Sequence, residues 1–189
     1  MSSANQTYYA VKGSGDLVWQ ASSYYAAAGY WTANMQDGPY SLECVVEIVD
    51  TTSDQIIVGI SELTGSKKLV LSVTTGQLCA IGVNGSDYYN SVMVPGGIKK
   101  KLHIITTYDY GDNAPLIYVN GALMTDDDGV NSVYIEADGV FFIGAKDGLL
   151  TYKCVAGTKI NLVRGYGAAL TQGQVTTNYN SDSVQDKLP

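Results

Sequence analysis

The sequence has little of what most functional sites are built from. One histidine stands in 189 residues, and 11 Lys and Arg face 18 Asp and Glu, for a formal net charge of −7. A single imidazole excludes a two-histidine metal centre. A chain this poor in cations cannot neutralise a run of backbone phosphates, which sets nucleic acid aside as a partner. The one basic run, Lys99-Lys100-Lys101, reads as a solvated loop leading into a strand. Cys44, Cys79 and Cys154 are odd in number, far apart and without CxxC spacing, so they predict reduced, buried thiols rather than a disulfide framework. No apolar run approaches a membrane span, and the first fifteen residues lack the basic start and apolar run of a secretory leader. The expectation is a soluble chain made in the cytoplasm, without a signal peptide and without membrane insertion.

What the chain does have is apolar and β-prone. Charged residues are 15% and apolar ones 46%, enough to bury a core, and the length predicts one domain over residues 1–189. Within it, residues 1–37 predict one or two loosely specified strands around Leu17-Val18-Trp19 and the aromatic group Tyr24, Tyr25, Tyr30 and Trp31, with a short helix near Tyr24 as the competing reading. From Tyr40 to Val49 the residues alternate. Tyr40, Leu42, Cys44, Val46 and Ile48 point one way and Ser41, Glu43, Val45, Glu47 and Val49 the other, the pattern of a half-buried strand. β-branched runs follow near residues 55–61, 68–73 and 78–83, punctuated by Gly65-Ser66, Thr75-Gly76 and Asn84-Gly85.

Residues 102–123 form the centre of the pattern. Asn120-Gly121, between Leu116-Ile117-Tyr118-Val119 and Ala122-Leu123-Met124, predicts a type I′ hairpin, because both central residues of that turn need positive φ. Further short runs at 132–137, 140–145, 149–155 and 159–166, with turn signals between them, complete the pattern of an all-β sandwich or barrel. Thr171-Gln172-Gly173-Gln174 has the form of a capping box, with Val175 and Tyr179 on one helical face, so one short C-terminal helix is expected. Residues 181–189 read as a frayed tail.

Two stretches carry a family likeness. Leu102-His103-Ile104-Ile105, then Thr107-Tyr108-Asp109 and Ile117-Tyr118-Val119-Asn120-Gly121, resembles a hallmark hairpin of the laminin G-like (LamG) jelly roll within the concanavalin A-like lectin/glucanase superfamily. Ile160-Asn161-Leu162-Val163-Arg164-Gly165-Tyr166 through Leu170-Thr171, followed by Asn178-Tyr179, is similar to that family's closing strand and helix, and Phe142-Ile143-Gly144 fits between them. The resemblance spans roughly residues 38–180 and implies a two-sheet antiparallel jelly-roll sandwich. Lys101-Leu102 replaces the family's Trp, and Gly165, Gly167 and Ala168 replace bulkier or polar residues, which implies altered packing at the last strand.

The motifs are architectural, and fold does not fix function. A glucanase of this superfamily would carry Glu-x-Asp-x-Glu or a close variant; here Glu43-Cys44-Val45-Val46-Glu47 has an apolar residue in the middle, so both carboxylates are expected to face solvent and no catalytic residues are assigned. His103 sits where the family places a packing histidine and is expected to be structural. Asp126 and Asp128, in Asp126-Asp127-Asp128-Gly129, are the candidate ligands for a Ca²⁺ ion, the one cofactor worth naming, against the reading of a solvated acidic turn. Fifteen tyrosines are the unusual surplus. Sugar rings stack on aromatic faces, and the Tyr hydroxyl adds a hydrogen bond, which makes Tyr24, Tyr25, Tyr30, Trp31, Tyr88, Tyr89 and Tyr110 candidate glycan-binding residues. The expected function is a non-catalytic, lectin-like module for glycan or surface binding. The alternative is a structural virion component, such as a phage decoration or tail protein, joined to an assembly partner or to copies of itself through aromatic interfaces. Glycoside hydrolysis is a distant third.

Overall fold

The computed structural model describes residues 17–18, 25–27, 40–61, 67–74, 76–84, 87–94, 100–109, 114–125, 141–144, 154–155, 157–186 and 188. Twelve strands and two short helices are found among them: β1 (Leu17–Val18), β2 (Tyr25–Ala27), β3 (Tyr40–Glu47), β4 (Gln55–Ser61), β5 (Lys67–Thr74), β6 (Gln77–Asn84), β7 (Asp87–Met93), β8 (Lys101–Tyr108), β9 (Leu116–Val119), β10 (Ala122–Leu123), β11 (Phe141–Ile143), β12 (Lys159–Tyr166), α1 (Gln172–Tyr179) and α2 (Asp182–Gln185). No described helix is long and apolar enough to cross a membrane.

The strands form two six-stranded sheets, ordered β1-β12-β3-β8-β9-β10 (sheet 1) and β2-β11-β4-β5-β6-β7 (sheet 2). Every pairing is antiparallel. The period of two dictates how they stack. In β3 the residues Leu42, Cys44 and Val46 point inward, joined by Ile104, Ile117, Val119 and Val163 of the same sheet, and they meet Val58, Leu69, Leu71, Val73, Leu78, Ala80 and Ile143 of the other. This is the sandwich core. In β4 a bulge between Ile56 and Val58 lets both Ile57 and Val58 reach it.

The Asn120-Gly121 turn forms as expected, with Ala122 opposite Val119 and Leu123 opposite Tyr118. Both turn residues have positive φ, 50° and 81°. The hairpin's second strand closes no core, however: β10 is the edge of sheet 1, and Leu123 and Met124 are exposed. Thr74 likewise pairs with Gln77, and Gly76 between them has φ 87°.

Several expectations need correction. The helical reading near Tyr24 does not hold at Tyr25–Ala27, which pair with β11 as a strand. Residues 87–93, for which the sequence pattern predicts no strand, form the edge strand β7; their Asp and Asn are poor strand formers, and the edge tolerates them because, among the described residues, only one side is paired. Nor is the tail simply frayed. α2 forms a turn of helix after α1, and its Val184 is buried against Val45 and Leu162. The strand expected at 132–137 lies outside the described residues, as do residues 149–153 of the one expected at 149–155, whose Cys154 and Val155 are described and are not in a strand.

Candidate functional site

β3 is buried on both faces, which a half-buried strand is not. Its second face, the outer face of sheet 1, carries Ser41, Glu43 and Val45. Across the strand register Arg164 of β12 stands opposite Glu43 on one side and Ile105 of β8 on the other, while His103 and Tyr166 occupy diagonal positions. α1 then lies over this face and supplies Asn178 and Tyr179.

The capping box drives α1 into place. The Thr171 amide donates to Gln174 Oε1 at 2.8 Å, and the Gln174 amide donates back to Thr171 Oγ1 at 3.4 Å. Val175 is fully buried in a cluster with Ile105, Tyr118, Tyr166 and Leu170. At the hairpin, Gln172 Nε2 donates to the Gly121 carbonyl at 2.8 Å. A Cβ at Gly121 would stand 3.0 Å from the Tyr179 ring, so only glycine lets the turn and the helix approach this closely.

At the centre of the face, the Glu43 side chain has no solvent exposure. His103 Nε2 bonds its Oε1 at 2.8 Å, and Arg164 Nη1 donates to Oε1 at 3.3 Å and Oε2 at 3.4 Å. The Tyr166 hydroxyl donates to Oε2, and Asn178 Nδ2 reaches Oε2 at 3.3 Å and the Tyr166 oxygen at 2.8 Å. An ionised carboxylate offers about four acceptor sites, and here they are filled by four side chains from three elements. Among the described residues His103 Nδ1 has no hydrogen-bond partner, so Nε2 is the ring nitrogen that carries a proton toward the carboxylate. Tyr179 lies against the imidazole with ring centroids 5.7 Å apart.

The electrostatics follow from burial plus this donor set. Burial alone raises a carboxyl pKa, but the bonds from His103 and Tyr166 and the charge of Arg164 outweigh it and hold Glu43 below its ordinary value. Burial pushes Arg164 down, yet the Glu43 charge more than compensates and its pKa is raised. Tyr166 is pushed up, first by burial and then by Glu43, and so remains a neutral donor. One carboxylate and one guanidinium balance inside a polar cage.

The expectation that Glu43 and Glu47 face solvent is therefore wrong for Glu43. Helix α1 covers it, and the burial is sustained by donors the alternation of β3 alone does not reveal. Glu47 is half-buried and bonded to Lys159 Nζ at 3.2 Å, its neighbour across the strands. Glycosidases need two carboxylates flanking a substrate, one acid and one base or nucleophile; Glu43 is spent on internal donors. His103 is structural, as expected, 1% exposed and tied on its backbone to Asn120 Oδ1 at 3.0 Å. The three cysteines are buried, and none of them forms a disulfide among the described residues. Burial raises the pKa of Cys44 and Cys154 far out of the reactive range.

No protein-family model and no curated protein sequence matches the chain. Solved structures do. The K499G mutant of NanB sialidase from Streptococcus pneumoniae superposes with a TM-score of 0.63 at 14% identity, over 89% of this chain and 27% of that one. Botulinum neurotoxin type C, whose cell entry depends on interaction with two ganglioside molecules, gives 0.53 at 12% identity over 79% and 37%. The botulinum neurotoxin serotype D/C binding domain gives 0.54 at 14% identity over 79% and 38%. At these identities the likeness is one of fold, a two-sheet β-sandwich, and this chain spans less than two fifths of each of those three.

Of the residues expected to bind glycan, Tyr24, Tyr30, Trp31 and Tyr110 lie outside the described residues, as do Asp126 and Asp128. Tyr25 pairs with Ile143 on β2, and Tyr88 and Tyr89 pair with Gly82 and Ile81 on β7. β2 and β7 are opposite edges of sheet 2, five strand spacings or roughly 24 Å apart. Tyr25 and the Tyr88-Tyr89 pair therefore do not belong to one small-sugar site. Among the described residues no three His, Cys, Asp or Glu side chains cluster to hold a metal ion.

Sequence reasoning missed the Glu43 cage, although a signal existed. Glu43 and Arg164 each sit one position from inward-facing apolar residues on strands that prove adjacent, and Asn178-Tyr179 lie in the helix that the Thr171-Gln174 capping box opens. Pairing them required the strand order β12-β3, which no local pattern contains.

Proposed function

We propose that this chain is a non-catalytic, lectin-like binding module of the concanavalin A-like, LamG type, and that its ligand is a glycan. The observation that carries the reading is the fold likeness to a toxin dependent on gangliosides and to a sialidase, in which the matching part is only a fraction of the chain. Glu43 supports the non-catalytic half of the reading, because its carboxylate is saturated by internal donors rather than directed at a cleft. The β7 edge with Tyr88 and Tyr89 is the favoured binding surface, since among the described residues no further strand pairs with its outer side and aromatic side chains stack on sugars. Asp126 and Asp128 are the proposed Ca²⁺ ligands should binding prove metal-dependent.

The test is a glycan panel read by titration and tryptophan fluorescence, with and without a chelator. Binding should weaken at least about tenfold in Tyr88→Ala or Trp31→Ala, in line with the loss of one stacking contact. Silence across gangliosides and neutral, acidic and microbial glycans removes the reading. Loss of binding on chelation assigns a role to the acidic loop.

A further inference from the structure

The sandwich core and the covering of sheet 1 are separate bodies of packing. None of the residues of the central apolar cluster comes from beyond Val163, whereas Val175 and Val184 belong to two small clusters on the outer face. The backbone hydrogen bonds described for residues 171–188 stay within that segment, as in Val175 to Thr171, Asn180 to Thr176 and Leu188 to Val184. Its attachment runs through side chains: Val175, Val184, Tyr179 and Leu188 in apolar contacts, Tyr179 also against the His103 ring, Gln172 on the Gly121 carbonyl, and Asn178 on Glu43 and Tyr166. The link before it is anchored. Ser41 Oγ donates to the Ala168 carbonyl at 2.7 Å and accepts from the Leu170 amide at 2.9 Å, which holds the chain to β3 immediately ahead of the helix.

We infer that residues 171–188 form a latched strap, which lifts off sheet 1 as a unit while the two-sheet sandwich stays folded, with the Glu43 carboxylate as its catch. α1 has eight residues, too few to persist as a helix away from the sheet, so release and unwinding go together. The catch is polar, and this lowers the cost of opening. A lifted strap returns Glu43 and Arg164 to water, where both are well solvated and still adjacent, whereas an apolar seal would lose its whole driving force. Among the described residues the side chains bonded to Glu43 are His103 from β8, Arg164 and Tyr166 from β12 and Asn178 from α1, and Val184 of α2 packs beside Val45. Opening would uncover a row of Glu43, His103, Arg164 and Tyr166 bordered by Ile105 and Tyr118. The strap thus controls access to the Glu43 cage on the outer face of sheet 1.

Native-state hydrogen exchange on the full chain decides the matter. The amides of residues 175–188 should exchange through an opening that precedes, and responds little to denaturant compared with, the opening of β3, β5 and β8. Asn178→Ala cuts the strap's bonds to the cage without touching the core, and should speed exchange of residues 175–188 roughly tenfold with the strands unchanged. Glu43→Gln should accelerate the strap more than the strands. The inference is overturned if strap and strands exchange in one event in the natural chain, or if Asn178→Ala shifts both alike or neither.

Discussion

The two faces of β3 are both buried, yet they are closed by different means. The inner face is apolar at Leu42, Cys44 and Val46, and residues of suitable volume from sheet 2 can complete it. The outer face alternates Ser41, Glu43 and Val45, and it is completed by one distant segment whose donors must meet a carboxylate with the right geometry. The first kind of burial tolerates substitution and stabilises by area; the second stabilises modestly for its size but punishes the loss of any partner. Strength and specificity are thus divided between the two sides of one strand.

The largest effect should come from Glu43→Ala. It leaves Arg164 buried without its counter-ion and should cost about 3–5 kcal/mol in urea unfolding. Leu71→Ala on the inner side should cost about 2–5 kcal/mol by leaving a cavity. The two would differ in kind. The Glu43 variant should lose helix protection before strand protection, and a uniform loss in both variants would erase the distinction between the faces.

Acid sharpens the contrast next. The folded Glu43 has a lowered pKa, so its contribution is fully present above the ordinary glutamate value and is lost as pH falls through the lowered one. Stability measured from pH 6 downward should therefore decline through this acid limb in the natural chain, and Glu43→Gln should flatten it. An unchanged limb in that variant would assign the decline to other carboxylates.

Smaller effects lie at the periphery of the strap. Gly121→Ala forces a β-carbon into a positive-φ position against the Tyr179 ring and should cost about 1–2 kcal/mol, seen as a lower melting temperature. Thr171→Ala removes the helix cap and should cost about 1 kcal/mol, detectable as faster exchange in the first turns of α1. An effect of Thr171→Ala equal to that of Glu43→Ala would mean that the cap, rather than the cage, holds the strap.

How much of this was legible in the sequence follows from how local each cause is. The alternation in β3, the Asn120-Gly121 turn and the Thr171 capping box are encoded within a few residues, and each forms where expected. β7 was not legible, because Asp87-Tyr88-Tyr89-Asn90-Ser91 lacks the β-branched run that marks a strand, and sheet pairing rather than propensity makes it one. Glu43 was misread as solvated for a related reason. A carboxylate on an alternating strand ordinarily faces water, and its burial depends on Arg164 and Asn178, 121 and 135 residues further on. The tyrosine candidates were chosen by residue type alone, and the strand order then parts Tyr25 from Tyr88 and Tyr89.

That separation along the chain has a consequence for biosynthesis. Glu43 leaves the ribosome before Asn178, which follows only after 135 further residues, on the order of 10 s of elongation. β12, which brings Arg164 and Tyr166, is made only shortly before that helix. The carboxylate that secures the finished fold is therefore among the last groups on its strand to be enclosed.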